Sequence, residues 1–455
     1  MQHTINTRMK WTAAANGQAV GLRSGLRRPR TLAYGALLLF TALYYLRPED
    51  YIPGANVIPW AKITGGIALI ALIFEILGKG KVKLPTEIKF LILLFGQMIL
   101  AIPFAVWRGG AFNVVFGKFS KAVIVAMLIS MIISHVAELQ RLLWIQAAAV
   151  AVVTVASVLI GRHYFGRLYG ASNGILENPN DLAINIAINF PLCLAFLLAS
   201  RGLLKKAVWV IALLTMTYAV VATYSRSGLI ALFVTGLVCL WEYGVKGRRL
   251  YLVAIAGVIV MAAAAVALMT PHYPARVQSI FAGNIEDSGD RGSLEARSTL
   301  LKQSLVLALH NPIFGIGPGN FPVIAENEWR VAHNTYTEIA AEAGFPALIL
   351  FVLALAWGFR NIRRVRKAPG YVADKELQLF TSALWASLAT YIVSACFAST
   401  EYNLFPYFMI AYTSALYRIA FIPQTAEEAQ PGNARKDGPD RRYGAKPKRE
   451  LAWTR

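Results

Sequence analysis

The sequence has little charge and few cysteines. Only 15% of its 455 residues are charged, whereas a soluble domain carries about 25%. Together with a mean hydropathy of +0.51, this composition excludes an ordinary soluble globular protein. The chain contains 3 cysteines, Cys193, Cys239 and Cys396, and all of them lie inside apolar runs. We therefore expect neither a disulfide framework nor a cysteine metal site.

Long apolar runs take the place of the missing charge. Runs of roughly 17–25 residues follow one another, which is the length that crosses a bilayer as a helix. We predict an all-α polytopic membrane protein of about twelve transmembrane helices, with one large helical loop between spans nine and ten. No internal repeat divides the chain into matching halves. The predicted spans are 31–46, 57–77, 87–106, 119–135, 140–160, 181–200, 205–223, 227–244, 249–270, 334–359, 377–398 and 403–421.

The net charge of +21 comes from basic clusters in alternate loops. The positive-inside rule explains this pattern, so a nucleic-acid partner is not expected. Residues 1–30 form a basic cytoplasmic arm, 31–270 carry spans one to nine, 271–333 form a periplasmic loop, 334–422 carry the last three spans, and 423–455 form a disordered cytoplasmic tail. The clusters are Arg27-Arg28-Arg30, Lys79-Lys81-Lys83, Arg201-Lys205-Lys206, Lys246-Arg248-Arg249, Arg360-Arg363-Arg364-Arg366-Lys367 and the tail from Arg435 to Arg455.

The long loop contains a helical pattern from Leu294 to His310. Arg297 falls on its apolar side, with Leu300 and Ser304. A guanidinium on an apolar face is costly unless it meets an anion. The alternatives are a structural salt bridge or a side chain that reaches lipid phosphate.

A glycine-rich run, Phe314-Gly-Ile-Gly-Pro-Gly-Asn-Phe321, follows this helix. Glycines permit tight turns and close approach to a ligand. A Gly-x-Gly-x-Gly run without a preceding strand is not a nucleotide fingerprint. Gly317 and Gly319 are candidates for substrate binding, and the alternative is that they only form a structural turn.

His333 and Asn334 open the next apolar segment. A histidine at a membrane boundary can serve as a base, and a helix cap with an interfacial polar residue is the alternative. Asn334, Glu338 and Glu342 recur every four residues on one face, and an ionisable group at the depth of Glu342 is a functional candidate. Gly344 and the proline that follows it are expected to kink the helix.

The other outer loops add basic and capping residues. Arg226 begins a span between two serines, Arg162 and Arg167 share another loop, and Arg291 precedes Arg297. Arginine pairs bidentately with phosphate, so this face suits a pyrophosphate-linked lipid. Membrane-interface snorkelling is the alternative for Arg226.

Two further features of the outer loops bear on caps and metals. Asn178 begins Asn178-Pro-Asn-Asp181, which has the pattern of a helix start, and capping alone explains it. Glu286, Asp287 and Asp290 are close together, but no Asp-x-Asp motif occurs. We therefore predict no metal and no cofactor.

Several of these segments resemble the O-antigen ligase superfamily, which includes surface-polymer ligases, O-antigen polymerases and O-oligosaccharyltransferases. The resemblance covers about 170–406. It departs from the family pattern after Gly344, where the family often has a further glycine three residues on. The matching segments are His333-Asn-Thr-Tyr-Thr-Glu-Ile-Ala-Ala-Glu-Ala-Gly-Phe-Pro-Ala347, Tyr224-Ser-Arg-Ser-Gly228, Asn178-Pro-Asn-Asp-Leu-Ala183, and Arg297 followed by Asn311-Pro-Ile-Phe-Gly-Ile-Gly-Pro-Gly-Asn320.

The resemblance implies an inner-membrane glycosyltransferase with its active site on the periplasmic side. It would move a glycan from a polyprenyl-diphosphate carrier to an acceptor hydroxyl on a lipid or a glycan. His333 would be the essential histidine, and Arg226 and Arg297 would hold the donor phosphates. A polymerase of the same superfamily and a transporter or flippase are the alternatives. The substrate-binding residues we predict are Arg162, Arg167, Asn178, Arg291, Gly317, Gly319, Asn334 and Glu342.

Overall fold

The computed structural model describes residues 32–52, 54, 57–79, 84–164, 166–171, 176–249, 251, 288–324 and 331–421, without the side chains of residues 78–79 and 288–295. All of these residues fall in one compact unit, Met1–Phe421. The predicted basic arm, most of the predicted ninth span and the tail lie outside the described residues.

The described chain is almost wholly helical. A two-stranded antiparallel hairpin, β1 (His163–Tyr164) and β2 (Arg167–Leu168), is the exception among the described residues. Short helical turns span Pro48–Asp50, Ile102–Phe104 and Phe321–Ile324. The long helices are α1 (Leu32–Leu46), α2 (Trp60–Lys79), α3 (Thr86–Ala101), α4 (Arg108–Ile132), α5 (Val136–Ile160), α6 (Pro179–Ala199), α7 (Leu203–Ala222), α8 (Arg226–Val245), α9 (Ser288–His310), α10 (Thr335–Val365), α11 (Lys375–Ser394) and α12 (Phe405–Phe421).

The helix lengths confirm an all-α polytopic membrane protein. Within the described ranges, 9 helices are long and apolar enough to cross a membrane. Helices α1 and α12 occupy two more predicted spans but have only 15 and 17 residues. Most of the remaining predicted span, 249–270, lies outside the described residues, so the count of twelve stays a prediction.

Helix α4 begins earlier than the sequence pattern indicates. The predicted span starts at 119, whereas the helix starts at Arg108 and includes a π-helical turn at Val115–Phe119. The two glycines after Arg108 have the composition of a loop. A Cβ on Gly110 would lie 2.3 Å from the Trp107 ring, so this glycine lets the ring pack against the first turn.

Helices α6, α10, α11 and α12 form the centre of the bundle. Helix α11 packs against α6 and α8, and α10 packs against α3 and α12. Every residue of α12 from Phe405 to Leu416 is buried. Helices α2 and α7 are peripheral, with most of their apolar side chains exposed as expected for contact with lipid.

A chain of hydrogen bonds links several polar side chains inside the bundle. Gln146 donates to Asn189 at 2.6 Å, and Asn189 donates to the side chain of Asn185 at 2.6 Å. The hydroxyl of Tyr412 donates to Gln146 and joins α12 to this network. Such pairing is required where no water can replace a missing partner, and it fixes the register of α5, α6 and α12.

Candidate functional site

Helix α9 docks on the first turns of α10. The hydroxyl of Ser304 donates to Thr337 at 2.9 Å. A small apolar core seals the same contact and includes Leu300 and Ala308 of α9, and Ala340 and Ala341 of α10. The buried side of α9 is the one the sequence pattern predicted for Arg297. Arg297 lies two helical turns before Ser304 on α9, and this packing therefore places it near the start of α10. We term the end of the bundle where α10 begins the His333 end.

Three arginines from three separate segments converge at the His333 end. Arg297 is half-buried, and its burial, followed by the charges of Arg226 and Arg167, lowers the pKa of its guanidinium. Within the part of the chain that the structure describes, no carboxylate forms an ion pair with Arg297. Guanidinium groups in such surroundings attract an anion, because each destabilises the charge of the others.

Local structure sets the position of Arg167 and Arg226. Arg167 lies in β2 and donates from Nε to the carbonyl of Thr223 at 3.0 Å and from a terminal nitrogen to Asn180 at 3.2 Å. Ser225 caps α8 by accepting from the backbone N–H of Gly228 at 3.1 Å. Arg226 is therefore the first residue of α8, three residues beyond the carbonyl that Arg167 holds.

His333 occupies a strained backbone position. Its φ is +55°, a left-handed conformation that non-glycine residues seldom adopt. Its backbone N–H donates to the hydroxyl of Ser399 at 3.0 Å, and that hydroxyl donates in turn to Glu338. The same Glu338 oxygen accepts from the N–H of Ala332 at 3.1 Å. One buried carboxylate thus holds the N–H of Ala332 directly and the N–H of His333 through Ser399.

Asn334 is the N-cap of α10. Its side-chain oxygen accepts from the backbone N–H groups of Tyr336 at 3.0 Å and Thr337 at 3.1 Å. Thr335 then bonds the loop after α11, with its N–H and hydroxyl on the carbonyl of Ala398 at 2.9 and 2.7 Å. The cap and this loop fix the start of α10, directly after His333.

The glycine-rich run folds against α10 through Glu342. The N–H of Gly317 donates to the backbone carbonyl of Glu342 at 2.9 Å. The N–H groups of Gly319 and Phe321 donate to its two carboxylate oxygens at 2.7 and 2.9 Å, and Tyr402 also donates to this carboxylate. These donors are engaged within the protein, which gives Gly317, Gly319 and Glu342 a structural part in the site. Substrate binding by them stays a prediction.

The helix break predicted at Gly344 is confirmed, and the loop fills it. Gly344 has φ +82°. A Cβ at this position would lie 2.2 Å from the carbonyl oxygen of Ile313. Phe345 donates its N–H to the carbonyl of Pro312 at 2.8 Å, and the amide of Gln97 donates to the carbonyls of Ile313 at 2.6 Å and Ala343 at 3.1 Å. Only glycine fits a left-handed position this close to another backbone.

Beneath the glycine-rich run lies a cluster of three buried carboxyl groups. An oxygen of each of Glu338, Glu342 and Glu401 lies within 4.8 Å of those of the other two. Hard cations take such ligands, so these are the described residues that could hold a metal. Among the described residues, oxygen Oε2 of Glu401 has no hydrogen-bond partner. Burial, followed by the charges of Glu338 and Glu342, raises the pKa of Glu401, as expected for a carboxyl that holds a proton.

The remaining predicted site residues differ in their surroundings. Arg162 is exposed before the hairpin. Asn178 caps α6, and its side chain accepts from Asn180 at 2.8 Å. The side chain of Arg291 is outside the described residues. Ser399 and Glu401 were not predicted as site residues. They lie in a short polar loop far along the sequence, and only the fold brings them beneath His333.

A family model described as O-antigen ligase matches residues 211–352. The matched range contains Arg226, Arg297, His333 and Glu342, and it confirms the resemblance to the O-antigen ligase superfamily. Members of this family are membrane glycosyltransferase-like ligases and polymerases. No curated protein matches the chain.

Proposed function

We propose that the protein is an inner-membrane glycosyltransferase that moves a glycan from a polyprenyl-diphosphate carrier to an acceptor hydroxyl, with its active site on the periplasmic side. The observation that carries this proposal is the convergence of Arg167, Arg226 and Arg297. A diphosphate is the kind of anion that such a cluster attracts, and guanidinium groups suit phosphate oxygens through paired hydrogen bonds. The family match and the apolar helices support a lipid-linked substrate.

In the proposed reaction the acceptor oxygen attacks the anomeric carbon of the donor sugar. A new glycosidic bond forms while the bond between that carbon and the diphosphate oxygen breaks. His333 takes the proton from the acceptor hydroxyl, and the polyprenyl diphosphate leaves with the bonding electron pair. Arg226 and Arg297 stabilise the negative charge that develops on the leaving group. We propose that this requires no metal ion.

The second candidate is a polymerase of the same superfamily. It differs only in its acceptor, which would be the end of another carrier-linked glycan. Residues 211–352 match a family that includes both kinds of enzyme, so the arginine cluster serves either reaction equally well.

Reconstitution tests the proposal directly. The purified protein is placed in proteoliposomes with a defined polyprenyl-diphosphate glycan and, in separate reactions, a lipid A-core, a protein and a second lipid-linked glycan as acceptors. We expect transfer to at least one acceptor, and none by His333→Ala. The matched control is His310→Ala, because His310 is exposed at the end of α9 and its ring contacts a carbonyl of its own helix. Equal turnover by both variants, or no transfer to any acceptor, would contradict the proposal.

A further inference from the structure

A groove lies between α10 and α11, and its lining extends from Tyr336 in the first turn of α10 to Arg363 in the last turns of the helix. Its volume is about 330 Å³, and it is open on one side. Val352 is 43% exposed on its wall, as expected where a bundle faces lipid. The α10/α11 groove is lined by Tyr336, Val352, Leu355, Ala356, Phe359, Arg363 and Ile392.

One end of the groove is cationic. Arg363 lines it, is exposed, and lies with its guanidinium carbon 5.5 Å from the centre of the Trp385 ring. Within the described part of the chain no carboxylate forms an ion pair with Arg363. The nearby Arg366 differs, because Glu242 pairs with it at 2.7 Å. The charge of Arg363, unlike that of Arg366, is therefore not offset by a carboxylate of the described residues.

The other basic residues of this cluster point elsewhere. Arg360 stacks on Trp357 at 4.1 Å, and Arg364 donates to the hydroxyl of Tyr417 at 3.3 Å. Neither lines the groove. Of Arg360, Arg363 and Arg364, Arg363 is the residue whose side chain lines the groove next to its apolar wall.

The opposite end of the groove has no charged lining residue. Tyr336 lies there, and its hydroxyl donates to the carbonyl of Ile392 at 3.0 Å. Between the two ends the wall is formed by aliphatic and aromatic side chains such as Leu355 and Phe359. The groove thus has one cationic end and an apolar body, which is the complement of a lipid with an anionic head group and a hydrocarbon chain.

We propose that the α10/α11 groove binds an anionic phospholipid, with its phosphate at Arg363 and an acyl chain along Val352, Ala356 and Phe359. Basic pockets between transmembrane helices bind such head groups. The donor carrier fits less well, because its diphosphate belongs at the His333 end and its hydrocarbon tail would then meet the guanidinium of Arg363.

Photo-crosslinking in nanodiscs tests this inference. Photoactivatable phosphatidylglycerol or phosphatidylcholine is added to the full-length protein, and labelled peptides are identified by mass spectrometry. We expect phosphatidylglycerol to label the α10 segment about fivefold more than phosphatidylcholine, which is the contribution of one basic side chain near the membrane surface. Arg363→Gln removes this preference. The matched control Arg364→Gln keeps it, because Arg364 bonds Tyr417 outside the groove.

A second pair of variants tests the apolar wall. Ala356→Trp fills the groove and should lower labelling by both phospholipids, whereas Ile349→Trp, at an exposed position of the same helix, should not. Equal labelling by the two phospholipids, or equal effects of Arg363→Gln and Arg364→Gln, overturns the proposal. Displacement of bound phosphatidylglycerol by a polyprenyl phosphate assigns the groove to the carrier and also overturns it.

Discussion

At Arg226 and Arg297 the shape of the side chain matters as well as its charge. A planar guanidinium offers two parallel hydrogen bonds to a phosphate, whereas an ammonium offers a point charge. We expect Arg226→Lys and Arg297→Lys each to lose most transfer activity while the protein still inserts. Loss of one charge-assisted bond of about 1.5–3 kcal/mol corresponds to a fall of roughly 10–100-fold in kcat/KM.

The matched control for these variants is Arg201→Lys. Arg201 is exposed and belongs to a basic cluster that is predicted on the cytoplasmic side, opposite the proposed site. Steady-state transfer in proteoliposomes, with expression checked by gel filtration, measures all three variants. Near-normal turnover in Arg226→Lys and Arg297→Lys would reduce these arginines to membrane anchors.

Glu401 is the carboxyl of the buried cluster that best fits a neutral state. Its pKa is raised by burial and by Glu338 and Glu342, and its Oε2 lacks a hydrogen-bond partner. A carboxyl with a raised folded pKa contributes stability below its ordinary pKa of about 4.3, and this contribution is lost as the pH rises toward the folded pKa. Glu401→Gln keeps the neutral shape and removes the titration.

The Tm of Glu401→Gln should therefore rise relative to wild type between pH 5 and pH 8, as measured by thermal unfolding in detergent. Glu242→Gln is the control, because Glu242 is also buried but is paired with Arg366 at 2.7 Å and Lys246 at 3.4 Å. It should lower the Tm at pH 8, since it leaves cations without their partner. A Tm difference between Glu401→Gln and wild type that stays constant from pH 5 to pH 8 would show that the pKa of Glu401 is not raised.

Among the elements, the break in α10 and the glycine-rich run depend on each other. Gly344→Ala places a Cβ 2.2 Å from the carbonyl oxygen of Ile313 and forces alanine into φ +82°. The left-handed backbone alone costs about 1–2 kcal/mol, and the clash adds to it. We expect a lower Tm and loss of transfer, because the run would move away from Glu342.

The control for this variant is Gly96→Ala, in the middle of α3. A Cβ there meets nothing within 4 Å, and alanine is favoured over glycine in a helix by about 0.5–1 kcal/mol. Unfolding curves of the two variants should move in opposite directions. A Gly344→Ala protein as stable as Gly96→Ala would mean that the loop does not need the break.

Sequence patterns predicted the parts of this region that depend on local spacing. The buried side of α9 beneath Arg297 and the break at Gly344 follow from periodicity and backbone chemistry. The partners of Glu342 could not be predicted in this way, because Gly319 and Tyr402 lie 23 and 60 residues away from it in the sequence. No short-range pattern encodes such contacts.

At the scale of the whole molecule, the basic clusters predict opposite locations for the long loop and the tail. If every basic cluster faces the cytoplasm, the N-terminus lies inside. Gly283, after the predicted ninth span, then lies outside, and Gly432, after the predicted twelfth span, lies inside. Paired reporter fusions at these two positions, both outside the described residues, should report different compartments. The same compartment at both positions would contradict the twelve-span arrangement.

The central claim is that fixed arginines, in place of a metal ion, hold the donor diphosphate. It is tested most directly by glycan transfer in proteoliposomes with excess EDTA, followed by gel shift of the acceptor. The wild-type protein should transfer at an unchanged rate, and Arg297→Lys should stay impaired with or without added Mg²⁺ or Mn²⁺. Loss of wild-type transfer in EDTA, restored by either cation, would contradict the claim and direct attention to Glu338, Glu342 and Glu401.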